Sequence, residues 1–472
     1  MLVVIEIAVI LYTVRRNPRI ALYVTLISIF IKGQYLWIGW PIYAWQISAI
    51  FGLIFAVSPS ITARYASAGR ILSRYRRTVF LFFGYSFVVS IPLWLLFSIE
   101  SFGAAQASVS LTRCITQSVY TLFLLGLFCF GGKVGRNVTL YDFLRAIILI
   151  STITAYFAIL QVIILNQLGI DIFPIIGSDD TIRSAYTYHG SGHTWHTTFR
   201  ATSFVGEPKH LGILMAVGIT AFFLMRILRI TVGRYPLHMP IVMGVALLLS
   251  LSSTGIFLAI LGISLLALVF ADKVRKVDIL FLIGLLLAGW IQANEFDGNF
   301  KGALGKQASR QEFEVQDQSV FLALIEEPIL AITGSGLGNI HLFAVHHLPK
   351  EYPLFRDRGY KANSGLLFIV GDSGLIGLVL LIAGPIFGVY AYRLERRVYR
   401  SSTRHEVQTA LSFLLLITLS FLFRYNEMLF LVSGFVYSRL VVLRQEARST
   451  SLTQSDSSVS IRLYSEKKQK GA

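Results

Sequence analysis

Long runs of apolar residues alternate with short polar breaks along nearly the whole chain. Val79–Phe97, Ala146–Leu165, Leu211–Leu228 and Leu366–Phe387 are examples. Each approaches the roughly 20 apolar residues that cross a bilayer core of about 30 Å. A backbone in lipid has no water to bond, so such runs must be helical. The pattern predicts an all-α polytopic membrane protein of about 12–14 transmembrane helices. Its spans fall near 2–14, 20–33, 42–57, 79–98, 115–131, 144–166, 208–227, 237–252, 256–271, 278–293, 362–387, 407–423 and 427–443.

Two breaks are long, at about 168–207 and 294–361. Loops of that length in a compact protein are usually functional. Of the nine histidines, His189, His193, His196, His210, His341, His346 and His347 lie in or beside them. Residues 1–443 therefore read as the membrane domain. Residues 444–472, rich in Ser, Thr and Gln and then in Lys, read as a disordered tail. The first apolar run carries Glu6 and has neither a basic leader nor a cleavage site, so it reads as a membrane segment.

Composition agrees with the pattern: 55% of the 472 residues are hydrophobic and only 14% charged, where a soluble chain has about a quarter charged. The net charge of +17 raises the question of nucleic acid, but its distribution answers it. Arg15/Arg16/Arg19, Arg64–Arg77, Lys133/Arg136/Arg145, Arg226–Arg234, Lys273–Lys276, Arg393–Arg404 and the tail all fall on one side of the alternating spans. That asymmetry marks the cytoplasmic side. It puts both long loops on the opposite, outer face and the C-terminus in the cytoplasm. No nucleic-acid partner is expected. The cytoplasmic loops are too short for a nucleotide-binding domain and contain no GxxxxGK[ST] phosphate loop. Cys129 lies within an apolar block and Cys114 near the mouth of the same block, which disfavours a disulfide between them.

Candidate chemistry concentrates where the first long loop re-enters the membrane, in Arg200-Ala-Thr-Ser-Phe-Val-Gly-Glu-Pro-Lys-His-Leu-Gly212. Pro208 suits the first turn of the next helix. Glu207 then stands beside the helix start, with His210 in the first turn and Arg200 nearby in sequence. The group reads either as an acid–base and anion-binding cluster or as a capped helix entrance with a loop salt bridge. His189-x-x-x-His193-x-x-His196 has a spacing that suits zinc on a helix. The intervening Gly190 and Gly192 disfavour that helix, and the neighbouring Tyr186, Tyr188 and Trp195 suit stacking on sugar rings. No metal is expected. Glu326-Glu327, just before Pro328, reads as a solvated face.

Arg200-x-x-Ser203-Phe204 followed by Glu207-Pro208-Lys209-His210-Leu211-Gly212 resembles the R-x-x-S-F…E-P-S-H-x-G signature of bacterial O-antigen and exopolysaccharide polymerases. That family lies within the superfamily that also holds the O-antigen ligases. Gly334-Ser-Gly336-Leu-Gly338-Asn339, Asn363-Ser364-Gly365 and Gly371-Asp-Ser-Gly374-Leu-Ile-Gly377 resemble the family's Gly-rich loop and the helix after it. Position 209 is Lys where the family has a small residue. Ala362 stands where the ligases place a histidine, which favours the polymerase branch.

The resemblance implies a glycosyltransferase that joins glycan repeat units carried on polyprenyl pyrophosphate, with no cofactor and with a chain-length regulator as a possible partner. Glu207 is then the first candidate for the base, and His210 the second. Arg200, Arg310 and Arg424 are candidates for the pyrophosphate, since guanidinium forks bind phosphate oxygens bidentately. A snorkelling anchor is the alternative for Arg424. Trp195, Asn339, His346 and Asn363 are candidates for the glycan. The Gly334–Asn339 loop reads either as a backbone nest for phosphate or as a flexible turn. The rival functions are an O-antigen ligase and a polytopic transporter or flippase of lipid-linked sugars.

Overall fold

A computed structural model of the chain describes residues 2–30, 36–37, 41–57, 70–100, 104–168, 186–189, 196–199, 201–205, 208–227, 238–250, 252–270, 283–284, 315–348, 362, 364–395, 401–423 and 427–447. The protein is an all-α polytopic membrane protein. Its helices are α1 (Leu2–Arg16), α2 (Pro18–Phe30), α3 (Ala44–Val57), α4 (Arg70–Glu100), α5 (Ala104–Asn137), α6 (Leu140–Leu168), α7 (Pro208–Ile227), α8 (His238–Leu249) and α9 (Ser253–Val269). Three short helices follow, α10 (Val315–Glu326), α11 (Pro328–Thr333) and α12 (Ile340–Ala344). The series ends with α13 (Gly365–Glu395), α14 (Ser401–Phe423) and α15 (Met428–Ala447).

Among the described residues, six helices are long and apolar enough to cross a membrane: α5, α6, α7, α13, α14 and α15. The shorter α2, α3, α8 and α9 are predominantly apolar. The predicted span at 278–293 lies almost entirely outside the described residues, as does the tail beyond Ala447. α4 starts nine residues before the predicted span at 79, because Arg70–Arg77 continues the helix as a basic turn. At 1.5 Å per residue its 31 residues reach about 46 Å, past a core of about 30 Å.

α7 and α15 are buried on nearly all sides and form the centre of the bundle. Outer helices show apolar side chains outward, among them Ile54, Leu81, Ile153 and Val379, as a lipid-facing surface requires. With lipid outside, burying apolar area gives little drive, so close backbone approach holds the helices together. A Cβ on Gly126 (α5) would strike the backbone of Ala49 (α3), and one on Gly434 (α15) would strike Phe128 (α5).

Basic ends meet at one face of the bundle. Arg19 at the start of α2 pairs with Asp142 at the start of α6 at 3.2 Å. Arg439 of α15 donates to Glu406 of α14 at 2.6 Å. The opposite face carries the loops and the small elements. Two antiparallel strand pairs are present, Leu36–Trp37 with Pro41–Ile42 and Tyr186–His189 with His196–Phe199. In the second pair His189 stands opposite His196, so these two histidines lie on paired strands and not on one helix, while His193 lies outside the described residues.

Candidate functional site

The first motif is fastened to α6. Gln161 Oε1 accepts the N–H groups of Thr202 at 3.1 Å and Ser203 at 2.8 Å, and its Nε2 donates to Thr202 Oγ1 at 3.1 Å. Ser203 Oγ donates to the Thr154 carbonyl at 2.9 Å. These bonds hold Ser203 at φ 50°, a left-handed backbone that costs an L residue about 1–2 kcal/mol. Ala201 N–H donates to the Leu249 carbonyl at 3.0 Å. The segment then turns into α7, which starts at Pro208 as the sequence predicts. Gly212 lets α7 approach α9, since a Cβ there would lie 2.5 Å from that of Ser252.

The second motif is a helix break met by a glycine loop. α13 leaves helical geometry at Gly374, where φ is 65° and ψ −176°. Gly334, at the end of α11, has φ 83° and ψ 164°. Both sit in a region open essentially to glycine alone, and a Cβ on Gly334 would lie 2.6 Å from Gly374 N. The break frees the carbonyls of Gly371 and Asp372, which accept Ser335 N–H at 2.8 Å and Gly336 N–H at 3.0 Å. Leu337 N–H donates to Ser90 Oγ of α4 at 2.7 Å, and Asn339 N–H to the Gly336 carbonyl at 3.1 Å. The loop is thus a packed element with those N–H groups engaged inside the protein. Neither a phosphate nest nor a flexible turn describes it.

Behind the loop, one face of α5 presents Arg113, Gln117 and Tyr120. The backbone of Arg113 and the side chain of Gln117 lie against Gly338. Tyr120 O–H donates to Glu427 Oε1 at 2.5 Å. Asp372, buried in the broken helix, lies close enough to Cys114 to act on it electrostatically. His341 is buried, and its Nδ1 donates to the Gly338 carbonyl at 2.8 Å. Burial, reinforced by the Arg113 charge, pushes its imidazole down to about 4, against an opposing effect of the Gly338 bond. The ring is therefore neutral at pH 7 and adds no repulsion beside the guanidinium.

The end of α14 separates the two motifs. His210 lines a cavity of about 20 Å³ together with Ile417, Ser420 and Met428, room for about one water. On the other side, Ser364 Oγ donates to the Leu422 carbonyl at 3.0 Å. Asp317 of α10 accepts Ser364 N–H at 3.2 Å and so fixes the start of α13. His210 and Glu427 thus stand at the starts of the two central helices, at the same end as the glycine loop.

Of the site residues expected from sequence, His210, Asn339 and His346 are described and lie at this end. Asn339 is buried, with its amide donating to the Ser335 carbonyl at 3.2 Å. His346 is exposed in a 3-10 turn beside His347, which pairs with Glu326 at 3.2 Å. Trp195, Arg200, Glu207, Arg310, Asn363 and Arg424 lie outside the described residues. Sequence reading missed Arg113, Gln117, Tyr120, Gln161 and Asp372. The spacing 113, 117, 120 on one helix face was a usable signal. Asp372 stood in plain view inside the glycine run. Comparison with protein-family models, with curated proteins and with solved structures yields no match.

Proposed function

We propose that the chain is an inner-membrane glycosyltransferase that polymerises polyprenyl-pyrophosphate-linked repeat units, working at the end that carries the glycine loop. One observation supports this most: the two polymerase-like motifs, far apart in sequence, flank the end of α14 at the end that carries buried Glu427 and Asp372 and half-buried Arg113 and Tyr120. In this reading that end is periplasmic and the basic end cytoplasmic. An acceptor sugar hydroxyl attacks the anomeric carbon of the donor. The bond from that carbon to the pyrophosphate oxygen breaks, and polyprenyl pyrophosphate leaves as the anion. Glu207 takes the hydroxyl proton, with His210 as its neighbour in the first turn of α7. Arg113 joins Arg200, Arg310 and Arg424 as a cation for the leaving group. The ligase would use the same donor with a different acceptor.

Glu207→Gln tests the assignment, because it keeps size and removes basicity. Purified variant given a lipid-linked repeat unit is expected to lose about 10²–10⁴ in rate, scored as glycan length on a gel. A wild-type ladder from a stably folded Glu207→Gln protein contradicts the role of Glu207. A transporter is the second reading, favoured by the break at Gly374 beside buried Asp372, since broken helices with buried charges recur in transporters.

A further inference from the structure

The small cavity beside His210 is walled by the ends of four helices. Ile29 and Phe30 come from α2, His210 and Ile213 from α7, Ser420 from α14 and Met428 from α15. Of the described residues that line it, only His210 and Ser420 have polar side chains. Ser420 is 1% exposed, and among the described residues no donor or acceptor reaches its Oγ.

Other buried hydroxyls of the bundle turn back onto their own helix. Thr152 Oγ1 donates to the Ile148 carbonyl at 2.7 Å, and Thr220 Oγ1 to the Ala216 carbonyl at 2.8 Å. Thr418 of α14 does the same with the Leu414 carbonyl at 2.8 Å. Ser420, two residues further along that helix, does not. A hydroxyl buried without a partner costs free energy, so it calls for a ligand.

Size and chemistry select that ligand. The cavity of about 20 Å³ exceeds the roughly 10–15 Å³ that one water needs and admits nothing much larger. A buried water also needs at least two polar partners, and the wall supplies a hydroxyl and an imidazole. A hard cation would need several oxygen ligands, and the side chains of the wall offer one. The imidazole has two ring nitrogens, so a bond made here leaves the other for contacts elsewhere.

We propose that the cavity holds one ordered water bonded to Ser420 Oγ and to a ring nitrogen of His210, and that Ser420 is thereby a positioning residue for His210. Water and hydroxyl both donate and accept, so the bridge accepts from a protonated ring nitrogen or donates to a bare one. It holds the imidazole in one orientation through a change of protonation. Its consequence for turnover rests on the glycosyltransferase reading; the water and the ring orientation do not.

A high-resolution crystal structure of the full chain tests the water. Density is expected at about 2.7–3.2 Å from both Ser420 Oγ and a His210 ring nitrogen. A dry cavity, or a Ser420 hydroxyl turned back to the Leu416 carbonyl, overturns the proposal. Nitrogen-15 spectra of histidine-labelled protein in detergent test the positioning, with His210 assigned by the loss of its signals in His210→Gln. Wild type should show one fixed tautomer, and Ser420→Ala an average of two. Thr418→Val, which removes a buried hydroxyl that does not line the cavity, should match wild type. Identical His210 signals in wild type and Ser420→Ala overturn the proposal, as does an equal change in Thr418→Val. If Ser420→Ala does not fold, the wild-type structure decides alone. In the polymerisation assay Ser420→Ala should be slower by about five- to tenfold, the effect of one lost hydrogen bond. The structure and the spectra involve no glycan, so they remain decisive if the glycosyltransferase reading fails.

Discussion

The two ends of the bundle use their polar groups differently. At the glycine-loop end, two N–H groups of the loop go to the broken helix, Tyr120 goes to Glu427, and Ser364 goes to Asp317. At the basic end, ion pairs run from helix to helix, Arg19 to Asp142 and Arg439 to Glu406. Buried polar groups matched by protein partners are fixed in place, which suits a site where reacting groups must be oriented. The ion pairs at the basic end instead tie one helix to the next. One end is built for positioning and the other for holding.

Gly374→Ala should break the first end most severely. A Cβ at φ 65° costs about 1–3 kcal/mol by conformation alone, and here it would also strike the carbonyl of Ile332. We expect a lowered thermal midpoint and no polymer. An active, stable Gly374→Ala protein would mean that the loop is not held by this contact.

Acid should loosen the same end next. His341 is neutral when folded at pH 7, with a pKa of about 4 against about 6.5 for an unperturbed histidine. Between those values the unfolded chain binds the extra proton, so the contribution is complete above about 6.5 and is lost as pH falls toward about 4. The loss is about 3 kcal/mol in all, an order-of-magnitude figure. Thermal unfolding in detergent from pH 7 to 4 should show a steeper fall for wild type than for His341→Gln. Parallel curves would place the acid sensitivity elsewhere.

Tyr120→Phe is the mildest change. It keeps the ring against Trp45, 5.9 Å away edge to face, and removes the bond to Glu427. Loss of one donor to a buried carboxylate should cost about 1–3 kcal/mol, read as a lower thermal midpoint. An unchanged midpoint would show that Glu427 does not depend on this bond.

Hydropathy made the membrane architecture legible because each apolar run is a property of consecutive residues. The span predicted at 208–227 coincides with α7, and that at 144–166 lies within α6. It left open which face of a helix meets its neighbours, so Tyr120 was hidden inside an apolar run and Arg113 stood just outside it. Gln161 escaped notice for the same reason: its partners at 202 and 203 are supplied by tertiary folding. The glycines of the second motif were visible, but their use in seating a loop on a helix break depends on a contact between segments far apart in sequence. The hairpin at 186–199 was legible only as a stretch unfit for a helix, from Gly190 and Gly192.

The central claim is that chemistry on lipid-linked glycans takes place at the glycine-loop end. Its most direct test is purified wild-type protein reconstituted in vesicles with a single polyprenyl-pyrophosphate-linked repeat unit, followed for glycan length and for movement of the lipid between leaflets. The account predicts a ladder of repeat multiples and no movement beyond that in protein-free vesicles. Glycan of unchanged length, with the lipid-linked unit newly accessible on the far leaflet, would contradict it and make the chain a transporter.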